Sequence, residues 1–506
     1  MNSPKRIASQ SPSWPLHDAA GTRQLETLAA AACPPHALMQ RAGQAVARLA
    51  LALVPHAERI WIAAGPGNNG GDGFAAAIHL HNAGKQVTVT AIGEAARRPA
   101  DAAASLVRAQ AAGVAIESGL PAGLHCDLAI DALLGLGTTR AADGTIAAAL
   151  RLFNAQPGPR LAIDLPSGLD ANQGVALGAH VAVASHTLSL LTLKPGLFTA
   201  QGRDHAGDIW FDDLDTHKIA AQVPPRAWLG GADAALHVQT PRRHAQHKGS
   251  FGDVIVIGGA TGTAGAAWLA GRAALAAGAG RVYVCALDPA VVSHDPLWPE
   301  LMLRPTLWRD TPASLAAATV VCGCGGGDAV REALPVILAR AARLVLDADA
   351  LNAIAVDAAL QSLLSARAGR GLATILTPHP LEAARLAGVA HAAAVQADRL
   401  GQAERLAARF GCVVLLKGSG SVIAAPQQPT SINASGNARL ASAGTGDVLA
   451  GWLGGLWAAA QAQPHPPAAH LVAQAGAWLH GAAADAGDDR TPLTASQLLQ
   501  KMAATD

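Results

Sequence analysis

Short apolar runs rich in β-branched residues alternate with longer Ala/Leu-rich stretches over most of the chain. RIWIAA (59–64), QVTVTAI (86–92), DLAID (127–131) and LAIDL (161–165) predict strands, and 22–32, 38–53, 73–83, 100–112 and 145–155 carry helical spacing. That alternation implies a parallel sheet covered by helices on both faces. The pattern lapses near 220–245, where AAQVPPRAWLGGADAALHVQTPRRHAQHKG holds a Pro pair, a Gly pair and a basic cluster. It resumes with strands at 254–258, 281–286, 319–323, 343–347 and 372–376. A strand and hairpin follow over 412–433, then helices at 445–462 and 468–487. The glycine loops of the two halves differ in spacing and flanks, which argues against a repeat. The expectation is two unlike α/β domains, 1–225 and 226–506.

A chain of 506 residues is too long for one core, which agrees with that division. The net charge of +1 gives no footing for nucleic acid or an anionic membrane surface. No uninterrupted apolar run reaches spanning length; 445–462 is broken by Asp447 and several glycines and reads as a buried helix. The N-terminal segment has no apolar core followed by a cleavage-type site, so a cytoplasmic enzyme is expected. Of six cysteines only Cys322 and Cys324 lie close together, and a lone C-x-C lacks the second pair of a zinc site. Reduced, buried thiols are expected.

Candidate chemistry sits where strands end. GPGNNGGDGF (65–74) follows a strand and contains G-x-G-x-x-G, the spacing of a dinucleotide loop. The fingerprint also wants an acidic ribose contact after the next strand, and Glu94 fits that poorly. Asn68, Asn69 and Asp72 instead supply side-chain acceptors suited to a cation or a polar ring; a tight turn with Asn at left-handed angles would explain them too. Asp131 ends DLAID ahead of LLGLGT (133–138), and Asp164 ends LAIDL ahead of Pro166-Ser167-Gly168. Each could be a turn cap. Three such loops at consecutive strand ends could converge on one crevice, with a carboxylate for acid/base work beside a cation site.

NNGGDG (68–73), DALLGLGT (131–138), DLPSGLD (164–170), TLKPGLF (192–198) and LMQRAG (38–43) together resemble the NAD(P)H-hydrate epimerases, from about Leu16 to Asp215. The resemblance implies a Rossmann-like three-layer domain that interconverts the R and S forms of hydrated NADH and NADPH. It implies K⁺ held by Asn69, Asp131 and Ser167. Substrate would be bound by Asn68, Asn69, Gly70, Gly71 and Asp72, by the loop Gly135, Leu136, Gly137, Thr138, Thr139, Arg140 and Ala141, and by Asp164, which would also be the acid/base carboxylate.

In the second half, Gly444-Thr445-Gly446 opens a helix whose free N–H groups can stabilise phosphate oxygens, and Asp447 in its first turn is placed to deprotonate an attacking hydroxyl. An acidic residue there would be a favourable helix start in any case. Lys417-Gly418-Ser419-Gly420 follows an apolar strand and lacks the Walker pattern. HKGSFGDV (247–254), GTAGAA (262–267), PELM (299–302), LDADALN (346–352), TPHPLE (377–382) and GTGDVLAG (444–451) resemble the ADP/ATP-dependent NAD(P)H-hydrate dehydratases, a ribokinase-like family, over about 235–500. That resemblance implies hydrate contacts at Ala266, Gly325, His379 and Asp447. It implies nucleotide contacts at Lys417, Gly418, Ser419, Gly420, Ser421 and Gly446, with Asp447 as catalytic base and Mg²⁺ accompanying ADP or ATP. The sequence departs at 323–327, where GCGGG replaces the usual G-P-G-L-G, and at Leu381, where Gly is usual.

Together these imply a bifunctional repair enzyme acting on small molecules, and a homo-oligomer. The alternative is a ribokinase-like kinase with a regulatory N-terminal nucleotide-binding domain. A sensor without turnover would tolerate loss of Asp447 and Asp164, and a conventional dehydrogenase lacks the ribose contact.

Overall fold

The computed structural model describes residues 3–239, 242–311, 313–487 and 491–504. The chain divides into two compact units, Met1–Ala8 with Trp14–Trp228, and Ser9–Ser13 with Leu229–Asp506. Residues 240 and 241, within the lapse in the sequence pattern, lie outside the described residues.

The first unit is built on an eight-stranded sheet: β1 (Lys5–Ile7), β2 (Arg59–Ala64), β3 (Gln86–Ala91), β4 (Ala115–Glu117), β5 (Leu128–Ala132), β6 (Arg160–Ile163), β7 (His186–Leu190) and β8 (Asp208–Asp212). The order is β1-β8-β7-β6-β5-β2-β3-β4. All neighbours are parallel except β1 and β8. Along β2, Ile60, Ile62 and Ala64 enter one apolar cluster while Trp61 and Ala63 enter another, so the sheet is buried on both faces. The edge strands β1 and β4, and β7 and β8 inside β1, were not legible because their short or polar runs lack a period.

The second unit places β9 (Asp253–Gly258), β10 (Arg281–Ala286), β11 (Met302–Leu303), β12 (Thr319–Cys322), β13 (Arg343–Leu346), β14 (Ala373–Leu376), β15 (Val413–Leu416), β16 (Val422–Ala424) and β17 (Ser431–Asn433) in the order β11-β10-β9-β12-β13-β14-β15-β16-β17. The strands are parallel through β15, and β16 and β17 form the expected antiparallel hairpin extension. Helix Thr445–Ala460 is buried almost all round. Its small residues allow this: a Cβ on Gly451 would lie 2.0 Å from the Ala270 carbonyl oxygen, and one on Gly454 would lie 2.4 Å from Val321. Among the described residues no helix is long and apolar enough to cross a membrane. All six cysteines are free thiols, four of them buried.

One boundary needs correction. The helix expected from 73 begins at Asn68. Glycine is a poor helix former, but here close packing decides. A Cβ on Gly70 would lie 2.1 Å from the Gly65 carbonyl oxygen, and one on Gly73 would lie 2.7 Å from Ala132. The Asn/Gly run is therefore the first turn of a helix pressed onto the sheet.

Candidate functional site

In the first unit β2 is flanked by β3 on one side and β5 on the other. The chain runs outward in both directions from this pair, and such a switch point opens a crevice beyond the strand ends. Helix Asn68–Asn82 starts there and carries Asn69 and Asp72 in its first turns. The buried Arg98 braces the turn before it, donating to the carbonyls of Gly65 and Ile92 with its guanidinium 5.0 Å from the Phe74 ring centroid.

Beneath the crevice lies an oxygen-rich cluster. Asp131 is fully buried and accepts from Leu133 N (3.1 Å), Ser167 N (2.9 Å) and Ser167 Oγ (2.7 Å). Burial pushes its carboxyl up to about 6, against those hydrogen bonds. The Leu134 carbonyl accepts from Asn69 Nδ2 at 2.9 Å and lies 3.0 Å from Ser167 Oγ. Asn69 Oδ1, also buried, has no hydrogen-bond partner among the described residues. A buried acceptor left unsatisfied is costly, and a neighbourhood of carboxylate, hydroxyl and carbonyl oxygens suits a hard cation.

Above this cluster is a cleft of about 700 Å³ lined by Asn68, Asn69, Asp72, the whole loop Gly135–Ala141 and Asp164. Asp164 adopts φ 68°, a left-handed conformation unusual for a residue other than Gly, Asn or Asp. Its N–H donates to Leu188 O at 2.7 Å, and its carboxylate is ion-paired with Lys194 and accepts from Leu190 N at 3.2 Å. Lys194 has no exposed side-chain surface and also donates to Leu190 O (2.8 Å) and Thr192 O (2.9 Å). The Asp72 carboxyl is held well above its ordinary value by burial first, then by Asp164 and Glu26. Gly70 and Gly71 do not line the cleft; Gly70 serves the packing on Gly65, and a Cβ on Gly71 would lie 2.6 Å from Met39 and 2.8 Å from Ala102.

In the second unit the corresponding switch lies between β9 and β12. The loops after β12, β13, β14 and β15 and the start of helix Thr445–Ala460 meet beyond it. Gly325 has φ 57°, and a Cβ there would lie 2.8 Å from Ala266 Cβ, so these two expected contacts are neighbours. Lys417 Nζ donates to Asp347 Oδ1 at 2.7 Å, and Thr377 Oγ1 donates to the same oxygen at 2.8 Å. Burial opposes the Lys417 ammonium, but Asp347 and Glu382 outweigh it and leave its pKa raised. A Cβ on Gly446 would sit 3.4 Å from Lys417 Nζ, which brings the GTG turn against the KGSGS loop. Ser421 Oγ donates back to Gly418 O at 3.3 Å and closes that loop. Asp447 lies beside them, its carboxyl pushed up to about 6 by burial and then by Asp347. His379 caps helix Pro380–Ala387: its Nδ1 accepts from Leu381 N and Glu382 N at 3.1 and 3.3 Å.

Residues 35–196 match the family of YjeF-related protein N-termini and residues 254–504 match that of NAD(P)H-hydrate dehydratase. The bifunctional NAD(P)H-hydrate repair enzyme of Escherichia coli (strain K12) is 37% identical, with 88% of this chain and 84% of that protein covered. The chain belongs to the bifunctional NAD(P)H-hydrate repair enzymes. The repair enzyme of Leishmania braziliensis is also 37% identical over the same shares. A solved ADP/ATP-dependent NAD(P)H-hydrate dehydratase from Bacillus subtilis, co-crystallised with ATP and Mg²⁺, is 29% identical with TM-score 0.41, covering 53% of this chain and 94% of that one. Membership carries the fold class with it, a Rossmann-like first unit and a ribokinase-like second, and disfavours the kinase alternative.

Sequence reasoning gave no role to Lys194, although it stands in the quoted TLKPGLF; the signal was a lysine inside an apolar run. Asp347 and Glu382 likewise stood in quoted motifs without an assignment. Arg399 is fully buried and donates to the carbonyls of Leu416, Lys417 and Gly420 at 3.3–3.4 Å, bracing the KGSGS loop from behind. Nothing in its local sequence signals that contact.

Proposed function

We propose that the first unit, approximating residues 1–225, epimerises hydrated NADH and NADPH, and that the second, approximating 226–506, dehydrates the S form at the expense of ADP or ATP. The observation that carries this reading is the convergence, in each unit, of remote assigned residues on one strand-end crevice: Asn69, Asp131, Asp164 and Ser167 in one, and Lys417, Gly446 and Asp447 in the other, where the unassigned Asp347 joins them.

Inversion at the hydrated carbon requires a ring bond or the C–O bond to open and re-form on the other face, with a proton leaving and returning. Asp164 is the carboxylate in the cleft that moves this proton, and Lys194 fixes its position. K⁺ would be held by Asn69 Oδ1, Asp131 and Ser167, where it supplies positive charge that orders the loops under the substrate. Asn68, Asn69, Asp72 and Gly135–Ala141 bind the hydrate.

In the second unit Asp447 takes the proton of the substrate hydroxyl as that oxygen attacks the terminal phosphoryl group. The N–H groups of the GTG turn face the transferred charge, and Lys417 to Ser421 hold the nucleotide. Expulsion of phosphate with loss of a ring proton restores the dihydropyridine. Mg²⁺ would neutralise the nucleotide phosphates, and carboxylates near this turn offer the oxygen donors a hard cation takes. Ala266, Gly325 and His379 contact the hydrate. Free thiols throughout fit a reducing, cytoplasmic setting. A homo-oligomer is expected, and light scattering on the purified chain tests it.

The test assigns each unit separately. Asp447→Asn should abolish nucleotide-dependent recovery of reduced coenzyme yet still interconvert R and S hydrates. Asp164→Ala should do the reverse. Loss of both activities in either variant, with the fold intact, would contradict the assignment.

A further inference from the structure

The first carbonyl of helix Thr445–Ala460 is held by a histidine from another helix. His480 lies on helix Ala469–Asp485 and is buried, and its Nε2 is 2.9 Å from the Thr445 carbonyl oxygen. A carbonyl only accepts, so the ring proton sits on Nε2 and His480 is the donor. Burial pushes the imidazole down to about 4, against the bond to Thr445 and with help from Lys417, so the ring stays neutral. The histidine has little freedom. A Cβ on Gly476 would lie 2.4 Å from Leu453 and one on Gly481 would lie 2.2 Å from Ser435 Oγ, so its helix is pressed against its neighbours on either side of His480. Ser435 Oγ donates to Trp478 O at 2.8 Å and Asn433 Nδ2 to Ala477 O at 3.1 Å, which ties the end of β17 to the same helix.

Thr445 uses its side chain locally, with Oγ1 2.8 Å from Leu440 O and 2.9 Å from Ser442 O. The peptide joining Thr445 to Gly446 is a rigid plane, with the carbonyl on one edge and the Gly446 N–H on the other. That N–H has no hydrogen-bond partner among the described residues, as expected in the first turn of a helix. Gly446 also lies against Lys417, the Cβ position being 3.4 Å from Nζ. We infer that His480 is a positioning residue of the dehydratase, its Nε2–H holding the Thr445 carbonyl and so orienting and polarising the Gly446 N–H for the nucleotide phosphate. The inference rests on the nucleotide reading of the GTG turn. A donor on the carbonyl draws electron density through the amide and makes its N–H a stronger donor, an effect that counts most where water is excluded. His480 acts through this peptide and not by contact with the nucleotide.

The test is a double-mutant cycle on affinity for ADP with Mg²⁺, read by calorimetry and by the nucleotide KM of dehydration, for wild type, His480→Leu, Gly446→Ala and the pair. His480→Leu should weaken ADP roughly fivefold and leave the hydrate KM within about twofold. His480→Gln, whose amide reaches the same carbonyl, should restore ADP binding. In the Gly446→Ala background, where the methyl already blocks the amide, the loss from His480→Leu should shrink to less than about twofold. A merely structural histidine would lower the melting temperature and the active fraction without singling out the nucleotide. Unchanged ADP affinity in a folded His480→Leu variant, a hydrate KM that rises equally, a glutamine variant no better than leucine, or losses that multiply in the pair overturn the inference while leaving the nucleotide site standing. A Gly446→Ala variant with wild-type ADP affinity overturns the nucleotide reading of the turn, and the inference with it. Should His480→Leu fail to fold, His480→Asn, polar but too short to reach Thr445, takes its place in the cycle.

Discussion

The ammonium of Lys194, without exposed surface, is ion-paired to the carboxylate of Asp164, whose own backbone sits at φ 68°. The pair joins two loops that follow different strands and orients the carboxylate into the cleft. Removing one member of a buried pair leaves the other uncompensated, at about 3–5 kcal/mol. Lys194→Met is therefore expected to lower the melting transition of the first unit and to reduce epimerisation at least ~100-fold. Dehydration of purified S hydrate should be retained. Chiral separation of the hydrates beside a thermal melt checks both.

Asn69 Oδ1 is a buried acceptor lacking a partner among the described residues. KCl should raise the melting temperature of the first unit more than LiCl at equal ionic strength, and Asn69→Ala should abolish the difference. That variant also loses the bond from Nδ2 to Leu134 O, at about 1 kcal/mol, so the cation-dependent difference is the quantity to read, not the absolute temperature.

The Asp447 carboxyl, pushed up to about 6, must be ionised to act as a base, so dehydration should fall roughly tenfold per unit as pH drops below about 6. The same shift has a stability consequence. A carboxyl raised from about 3.9 in the unfolded chain binds its proton more tightly when folded. The stability linked to that proton is present below pH 4 and lost as pH rises through about 6. Asp447→Asn should then be more stable than wild type at pH 8, by about 2 kcal/mol, with the gain gone at pH 4. Denaturant titrations at the two pH values test this.

Gly446 has ordinary backbone angles, and a Cβ there would meet Lys417 Nζ at 3.4 Å and Asp347 Oδ2 at 3.9 Å. Alanine fits without strain but intrudes where phosphate would approach the turn. Gly446→Ala should melt like wild type and raise the nucleotide KM at least ~10-fold. Gly325→Ala, at φ 57° and 2.7 Å from Thr263 O, should instead destabilise the second unit.

The central strands were legible because β2, β5, β9 and β12 are short apolar runs bounded by glycine turns. The start of helix Asn68–Asn82 was not, because its glycines are chosen for contact with Gly65 and Ala132, positions that sequence spacing does not bring together. Asp131, Asp164 and Asp447 stood out as acids ending apolar runs or opening a glycine-flanked helix. Lys194 did not, since its role depends on a loop folding back onto Asp164. Arg399 was silent for the same reason: its acceptors are backbone carbonyls that only the folded loop presents.

The most direct test follows reduced-coenzyme absorbance and released phosphate together, from a mixture of R and S hydrated NADH with ADP or ATP and Mg²⁺. The account predicts that the wild-type chain converts the whole mixture, including the R share, faster than spontaneous epimerisation permits, with one phosphate released per coenzyme restored. Recovery that stops at the S share, or nucleotide consumption that leaves a stable phosphorylated product and no free phosphate, would contradict it.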